Sequence, residues 1–107
     1  YVPTDNTIVS ALEALLIVGA QNKLPVFSGD TDSVQRGMIA TIGFNYYQVG
    51  RQTGEIVARV LKGEKPGDIP VRTAQGTDLH VNPKAAQAMG VTIPEAVVAR
   101  ASKVIGQ

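Results

Sequence analysis

Short apolar runs and longer helical patterns alternate along this chain, and polar loops separate them. The short runs are typical of buried parallel strands, while the longer segments repeat apolar residues every three or four positions, as amphipathic helices do. The pattern predicts the element order β-α-β-α-β-α-β-β-α-α. Because such alternation places helices on the faces of a largely parallel sheet, an α/β fold is predicted.

The individual elements follow from local signals. Strands are predicted at residues 1–3, 24–28, 38–42, 69–73 and 78–81, and helices at 7–20, 31–36, 45–62 and 92–105. Asn82 and Pro83 open a further helix, because asparagine caps helices and proline fits the first turn. Gly50 and Gly54 lie four residues apart in the helix 45–62, which suggests close packing against another backbone, since glycine otherwise weakens a helix.

The composition limits the classes of protein to which the chain can belong. With 107 residues it forms at most one domain of common size. Ten Lys and Arg against nine Asp and Glu give no electrostatic reason to expect binding to nucleic acid or to an acidic membrane surface. The absence of cysteine excludes disulfides, thiolate metal sites and cysteine nucleophiles. The longest apolar run, 14–20, is far shorter than the ~20 residues of a membrane span.

Three polar loops follow the carboxyl ends of predicted strands, at residues 3–7, 28–33 and 43–47. In open α/β sheets ligands bind outside these strand ends. The first two loops lead into helix N-termini, which favour a carboxylate or another anion. A small polar or zwitterionic ligand is therefore predicted. The residues predicted to bind it are Thr4, Asp5, Asn6, Ser28, Asp30, Asp32, Phe44 and Tyr46.

Each of these residues also has a simpler interpretation, and the sequence leaves the choice open. The aspartates, Asn6 and Ser33 are ordinary N-cap or turn residues, and the tyrosines at 46 and 47 could pack at a helix start. His80, the one histidine, fits a surface or edge position of a strand.

Catalytic patterns are lacking. No glycine-rich nucleotide loop is present, and no second acidic cluster completes a metal site with Asp30 and Asp32. A Ser-His-Asp site would have to recruit His80 from a distant strand. We therefore predict no catalytic residue, no metal, no cofactor and no enzymatic activity.

Three motifs carry a resemblance over almost the whole chain. They are VPTDN at the start, the block GFNYYQVGRQTG, and LKGEKPGDIPV. Together they resemble the carboxyl-terminal third of ABC transporter substrate-binding proteins, in particular the group that binds tryptophan and other aromatic amino acids. The resemblance implies a type I periplasmic-binding-protein fold, in which two three-layer α/β/α lobes with open, mostly parallel sheets close on a ligand in the cleft between them.

The resemblance also implies a domain organisation and partners. Residues 1–43 would belong to the second lobe, and residues 44–107 would supply a crossover helix, hinge strands and terminal helices. The chain is thus expected to be a piece of a longer protein, without its first two-thirds. The whole protein would be an extracytoplasmic receptor, periplasmic or lipid-anchored, that delivers its ligand to an ABC permease. The piece alone is expected to form a homodimer or to exchange segments.

The ligand implied by the resemblance is an amino acid with an aromatic or other apolar side chain. Thr4 and Asn6 would hold its carboxylate, Asp30 or Asp32 would meet its ammonium group, and Tyr46 or the neighbouring tyrosine would stack on its body. An alternative from another class stays open, because the effector-sensing half of some bacterial transcription regulators has the same fold. A DNA-binding helix-turn-helix upstream would identify that class.

Overall fold

The structure, a computed structural model, describes residues 1–106. Its helices are α1 (Asn6–Ser10), α2 (Leu12–Asn22), α3 (Asp32–Arg36), α4 (Tyr46–Leu61), α5 (Pro83–Ala88) and α6 (Glu95–Val98), with a 3-10 turn at Pro66–Asp68. Its strands are β1 (Ala40–Phe44), β2 (Thr77–Val81) and β3 (Lys103–Val104). The chain divides into two compact units, a first unit of residues 1–43 with 78–106 and a second unit of residues 44–77.

Extended segments lie side by side through the first unit. The strands form a small mixed sheet in the order β1-β2-β3, and β2 and β3 run parallel with His80 opposite Lys103. On the other side of β1, the Ile39 N–H donates to the Val26 carbonyl at 3.0 Å. Val2 follows next, because it forms a parallel bridge with Ser28. The predicted α/β class is therefore confirmed, with helices around a small sheet.

The core of the first unit fills the space between these segments and the helices. Its buried side chains are Val2, Leu12, Val26, Val34, Met38, Ile39, Ala86 and Met89. Burying one such large apolar side chain contributes about 1.5–3 kcal/mol, so this cluster is the main source of stability in the unit. Gly19 allows α2 to lie close to the segment that contains Val26, since a Cβ at position 19 would lie 2.8 Å from the Val26 side chain.

The second unit consists of α4, the 3-10 turn and residues 70–76, which have no regular secondary structure. Asn45 caps α4 by accepting from the N–H groups of Tyr47 and Gln48. The Gln52 side chain ties residues 70–76 to α4, because its amide donates to the Gln75 carbonyl at 2.8 Å and its oxygen accepts from the Gln75 N–H at 3.0 Å. No residue of α4 is fully buried.

Several predicted elements are confirmed, among them α3, α4, β2 and the Asn82 cap of α5. The predicted strand at 38–42 begins two residues later than expected. The predicted strand at 24–28 contributes a single bridge at Ser28, since Pro25 has no N–H to donate to a ladder. Residues 69–73 form no strand within the part of the chain described here.

Two further expectations are wrong, one for a local and one for a long-range reason. The helix at 7–20 is interrupted at Ala11, and the helix at 92–105 is shortened to α6 and replaced by β3. A Cβ at Gly50 or Gly54 would meet nothing within 4 Å among the described residues, so the close packing expected at these glycines stays a prediction.

Candidate ligand-binding site

Two of the predicted loops, and the residue that starts the third, meet at Gly29 in the first unit. The Gly29 N–H donates to the Val2 carbonyl at 2.8 Å, which holds the loop 28–33 against the chain start. A Cβ at Gly29 would stand 3.0 Å from Thr4 Oγ1, and a Cβ at Gly43 would stand 3.4 Å from the Gly29 carbonyl oxygen. The prediction that these strand ends lie side by side is confirmed.

The first loop is organised by Asp5. Its carboxylate accepts from the N–H groups of Thr7 at 2.9 Å and Ile8 at 3.0 Å, so it acts as the N-cap of α1. Thr4 and Asn6 on either side are exposed. Of the three polar residues predicted here, Asp5 therefore has a structural role, while Thr4 and Asn6 have exposed polar side chains.

The second loop contains a buried network of hydroxyl groups. Ser28 Oγ donates to the Asp30 carbonyl at 2.8 Å, and the Asp30 carboxylate accepts from the Ser33 N–H at 2.8 Å and from Ser33 Oγ at 2.7 Å. Ser28 and Ser33 are buried, whereas Asp30 is half-buried. Asp32 is exposed in the first turn of α3, where a negative charge is favourable.

The network includes Thr41, which the sequence reasoning did not identify. Thr41 Oγ1 donates to the Ser28 carbonyl at 2.7 Å from within β1, and the residue is buried. A signal was present in the sequence, since a hydroxyl residue interrupts an otherwise apolar strand and a buried hydroxyl needs a hydrogen-bond partner.

Phe44 and Tyr46 belong to the second unit and lie at the amino end of α4. Phe44 is 48% exposed and Tyr46 is 62% exposed, so their rings have a large free surface. The simpler interpretation, that a tyrosine here packs at the helix start, does not fit this exposure. An exposed ring can stack on a flat ligand.

A separate groove lies within the second unit. It has a volume of about 860 Å³ and is lined by α4 and by residues 71–75. It contains none of the predicted ligand-binding residues, and Arg59, one of its two arginines, is paired with Glu64. The hydrogen bond from Arg59 lowers the pKa of the Glu64 carboxyl, so this pair stays ionised.

The described residues show no feature of a metal centre or a membrane span. Among residues 1–106 no three His, Asp or Glu side chains gather closely enough to hold a metal ion. Within the same range, no helix has the length and apolar character needed to cross a membrane.

An α/β unit whose polar loops converge at the ends of its strands is typical of proteins that bind small molecules. Residues 1–105 match the family described as ABC transporter substrate binding protein. The chain belongs to this family, as its motifs predicted.

Curated relatives include a protein named for its ligand. The tyrosine-binding protein of Clostridioides difficile is 40% identical over 82 residues, which make up 77% of this chain and 24% of that protein. An uncharacterised protein of Rickettsia prowazekii is 29% identical over 80 residues, covering 75% of this chain and 26% of that protein. The chain thus spans about a quarter of the length of the curated relatives it matches.

Solved structures of similar proteins support the same family. A conserved domain protein from Vibrio cholerae O1 biovar El Tor matches with a TM-score of 0.85 and 48% identity, over 97% of this chain and 35% of that one. An ABC domain in complex with L-Trp from Streptococcus pneumoniae matches with a TM-score of 0.82 and 36% identity, over 96% of this chain and 35% of that one. A ligand-free, open substrate-binding protein with adhesive properties from Clostridium difficile matches with a TM-score of 0.74 and 34% identity, over 100% and 36%.

Proposed function

We propose that the whole protein is the solute-binding component of an ABC importer, and that the loops meeting at Gly29 form part of its ligand site. The observation that carries this proposal is the convergence of the chain start, the loop 28–33 and Gly43 at one place in a chain of this family. The assignment of residues 1–43 to the second lobe of the whole protein is part of the proposal.

The ligand proposed is an amino acid with an aromatic side chain. Two relatives support this class, one named as tyrosine-binding and one solved with L-Trp. Exposed Thr4 and Asn6 offer a hydroxyl and an amide to the carboxylate, and the aspartates at 30 and 32 offer negative charge to the ammonium group. Hydrogen bonds with an ionised partner are roughly twice as strong as neutral ones, so these contacts would fix the orientation of a zwitterion.

Asp30 is favoured over Asp32 as the partner of the ammonium group. Its carboxylate is oriented by two hydrogen bonds from Ser33, and each carboxylate oxygen can accept a further one. A preorganised carboxylate loses little conformational entropy when a ligand binds. The exposed Asp32 side chain has no such orientation from these bonds. The rings of Phe44 and Tyr46 are proposed to contact the flat body of the ligand, a role that rests on the sequence motif.

The same proposal covers the location and the partner of the whole protein. An importer subunit of this kind acts outside the cytoplasm and presents its ligand-bound form to an ABC permease. In this proposal it performs no chemical step. Ligand binding favours the conformation in which the ligand makes additional contacts, and that conformation is presented to the permease.

Calorimetry on the whole protein tests the proposal with L-tryptophan, L-tyrosine and L-phenylalanine. At least one should bind, and Asp30→Asn should weaken binding about tenfold or more, since a hydrogen bond to a charged group contributes about 1.5–3 kcal/mol. Tyr46→Ala should also weaken it. Asp68→Asn, in the exposed 3-10 turn, is the matched control and should bind like the wild type. Failure of all three amino acids to bind would overturn the ligand class.

A further inference from the structure

A chain of hydrogen bonds connects β1 to the side chain of Asp30. It begins at Thr41 Oγ1, which donates to the Ser28 carbonyl at 2.7 Å, and continues from Ser28 Oγ to the Asp30 carbonyl at 2.8 Å. It ends at Ser33, whose N–H and hydroxyl hold the two carboxylate oxygens of Asp30 at 2.8 Å and 2.7 Å. Thr41 thus anchors the loop backbone at Ser28, Ser28 holds the Asp30 backbone, and Ser33 orients the Asp30 carboxylate.

The hydroxyl groups in this series of hydrogen bonds are buried, so a lost hydrogen bond cannot easily be replaced by one to water. Thr41, Ser28 and Ser33 are 4%, 3% and 1% exposed, so water is excluded from them as an alternative partner. Valine has the shape of threonine and suits a buried strand equally well, yet it cannot donate to the Ser28 carbonyl. The strand does not require a hydroxyl at position 41 for its own hydrogen bonds, whereas the loop uses it.

We propose that Thr41 is a positioning residue for ligand binding, which acts through Ser28 to orient the Asp30 carboxylate toward the ammonium group of the ligand. This inference rests on the proposed function of the loop 28–33. Thr41 touches no ligand itself. It holds the loop in the binding geometry before the ligand arrives. The loop therefore loses little conformational entropy when the ligand binds.

Two measurements on the whole protein test the inference. In amide hydrogen exchange without ligand, Thr41→Val should make residues 29–33 exchange about threefold faster or more, whereas Thr41→Ser, which keeps the hydroxyl, should exchange like the wild type. Thr53→Val is the matched control, because Thr53 Oγ1 also donates to a carbonyl, that of Val49 at 2.9 Å in α4. It should leave residues 29–33 unchanged.

Calorimetry with the amino acid that the wild type binds gives the second measurement. Thr41→Val should weaken binding about three- to tenfold, the range expected for one net hydrogen bond, and Thr41→Ser should restore it. Because Thr41 acts through Asp30, Thr41→Val should have little further effect in an Asp30→Asn background. A purely structural role would instead give losses that multiply in the double variant.

The outcomes separate this inference from the proposed function. Unchanged exchange of residues 29–33 in Thr41→Val, or equal affinity of the Val and Ser variants, would overturn the positioning role. If Thr41→Val does not fold, Ser28→Ala removes the next bond in the chain and should give the same pattern. A wild-type protein that binds no amino acid would overturn the proposed ligand class, and the exchange measurement would still decide whether Thr41 holds the loop.

Discussion

Gly29 and Thr4 lie so close together that a side chain at position 29 would crowd Thr4. A Cβ at Gly29 would stand 3.0 Å from Thr4 Oγ1 and 3.2 Å from the Thr4 backbone nitrogen. The hydroxyl could rotate away, but the backbone nitrogen cannot move without displacing the chain start. The absence of a side chain at position 29 therefore allows the two polar loops to lie this close together.

Gly29→Ala is expected to lower both stability and ligand affinity of the whole protein. Inserting a methyl group into a tight contact typically costs about 1–3 kcal/mol, and here it would push the loop 28–33 away from the Thr4 loop. Urea unfolding and calorimetry with an aromatic amino acid would measure the two effects. Gly67→Ala is the matched control, because a Cβ at Gly67 meets nothing within 4 Å among the described residues. Equal behaviour of the two variants would contradict the expectation.

The Glu13–Arg36 pair joins α2 to α3 and should make stability depend on pH. Arg36 Nη2 donates to both carboxylate oxygens of Glu13, at 2.8 Å to Oε1 and 2.9 Å to Oε2. These hydrogen bonds lower the pKa of Glu13 from its usual 4.5. Because the folded-state pKa is the lower one, the pair contributes its full stability above about pH 4.5. That contribution is lost as the pH falls through the folded-state pKa.

Glu13→Gln should therefore lower the melting temperature slightly at pH 7, and the difference from the wild type should shrink as the pH falls below about 4.5. High salt should also reduce the difference, since the pair is at the surface. Glu55→Gln, at an exposed position of α4, is the control for the loss of one charge. A difference that grew toward low pH would contradict this assignment.

The helix α4 carries an exposed stripe that should make the 107-residue chain self-associate. Gly50, Gly54, Val57 and Leu61 share one face by their spacing, and Val57 and Leu61 are 50% and 81% exposed. Burying each large apolar side chain contributes about 1.5–3 kcal/mol, which favours covering the stripe. Light scattering of the 107-residue chain should give about twice its 11.3 kDa mass.

Substitutions within the stripe test this prediction directly. Val57→Glu with Leu61→Glu should return the chain to a monomer, because a charged side chain is costly to bury without a partner. The exposed pair Lys62→Gln and Lys65→Gln, outside the stripe, lowers the net charge by the same two units and is the control for the change in charge. A wild-type chain that stays at 11.3 kDa at high concentration would count against self-association.

The sequence predicts those parts of the fold whose signals are local. Asn45 and Asn82 cap helices where the sequence indicates, and the polar loops after apolar runs do converge. The break at Ala11 was also local but harder to detect. Ser10 Oγ donates to the Thr7 carbonyl, which the Ala11 N–H would otherwise use, so Ala11 bonds to Ile8 instead.

The wrong predictions concern segments whose structure depends on contacts with residues far away in the sequence. Residues 99–105 have the composition of a helix, but the Ser102 N–H donates to the Leu79 carbonyl and the Ile105 N–H to the Val81 carbonyl, both at 2.8 Å. Pairing with β2 therefore prevails over local helix propensity. In the site, Thr41 was missed for the same reason, because its importance depends on Ser28, which lies 13 residues away in the sequence.

Asn82, which directly follows β2, forms hydrogen bonds with residues of α3 and α5. Its replacement by alanine should destabilise the protein more than the other substitutions proposed above. Its amide donates to the Val34 carbonyl at 3.1 Å, and its oxygen accepts from the Ala85 N–H at 2.9 Å as the N-cap of α5. The residue is 6% exposed, so water cannot easily replace either bond. Loss of a cap costs about 0.5–2 kcal/mol, and an unsatisfied buried polar group about 1–3 kcal/mol.

We therefore expect Asn82→Ala to lower the free energy of unfolding by about 2–4 kcal/mol, measured by urea unfolding of the whole protein. Asn22→Ala is the control, because the Asn22 amide also donates to a carbonyl, that of Val18, but at an exposed position. It should change the free energy by less than about 0.5 kcal/mol. A similar small loss in Asn82→Ala would show that Asn82 does not hold these elements together.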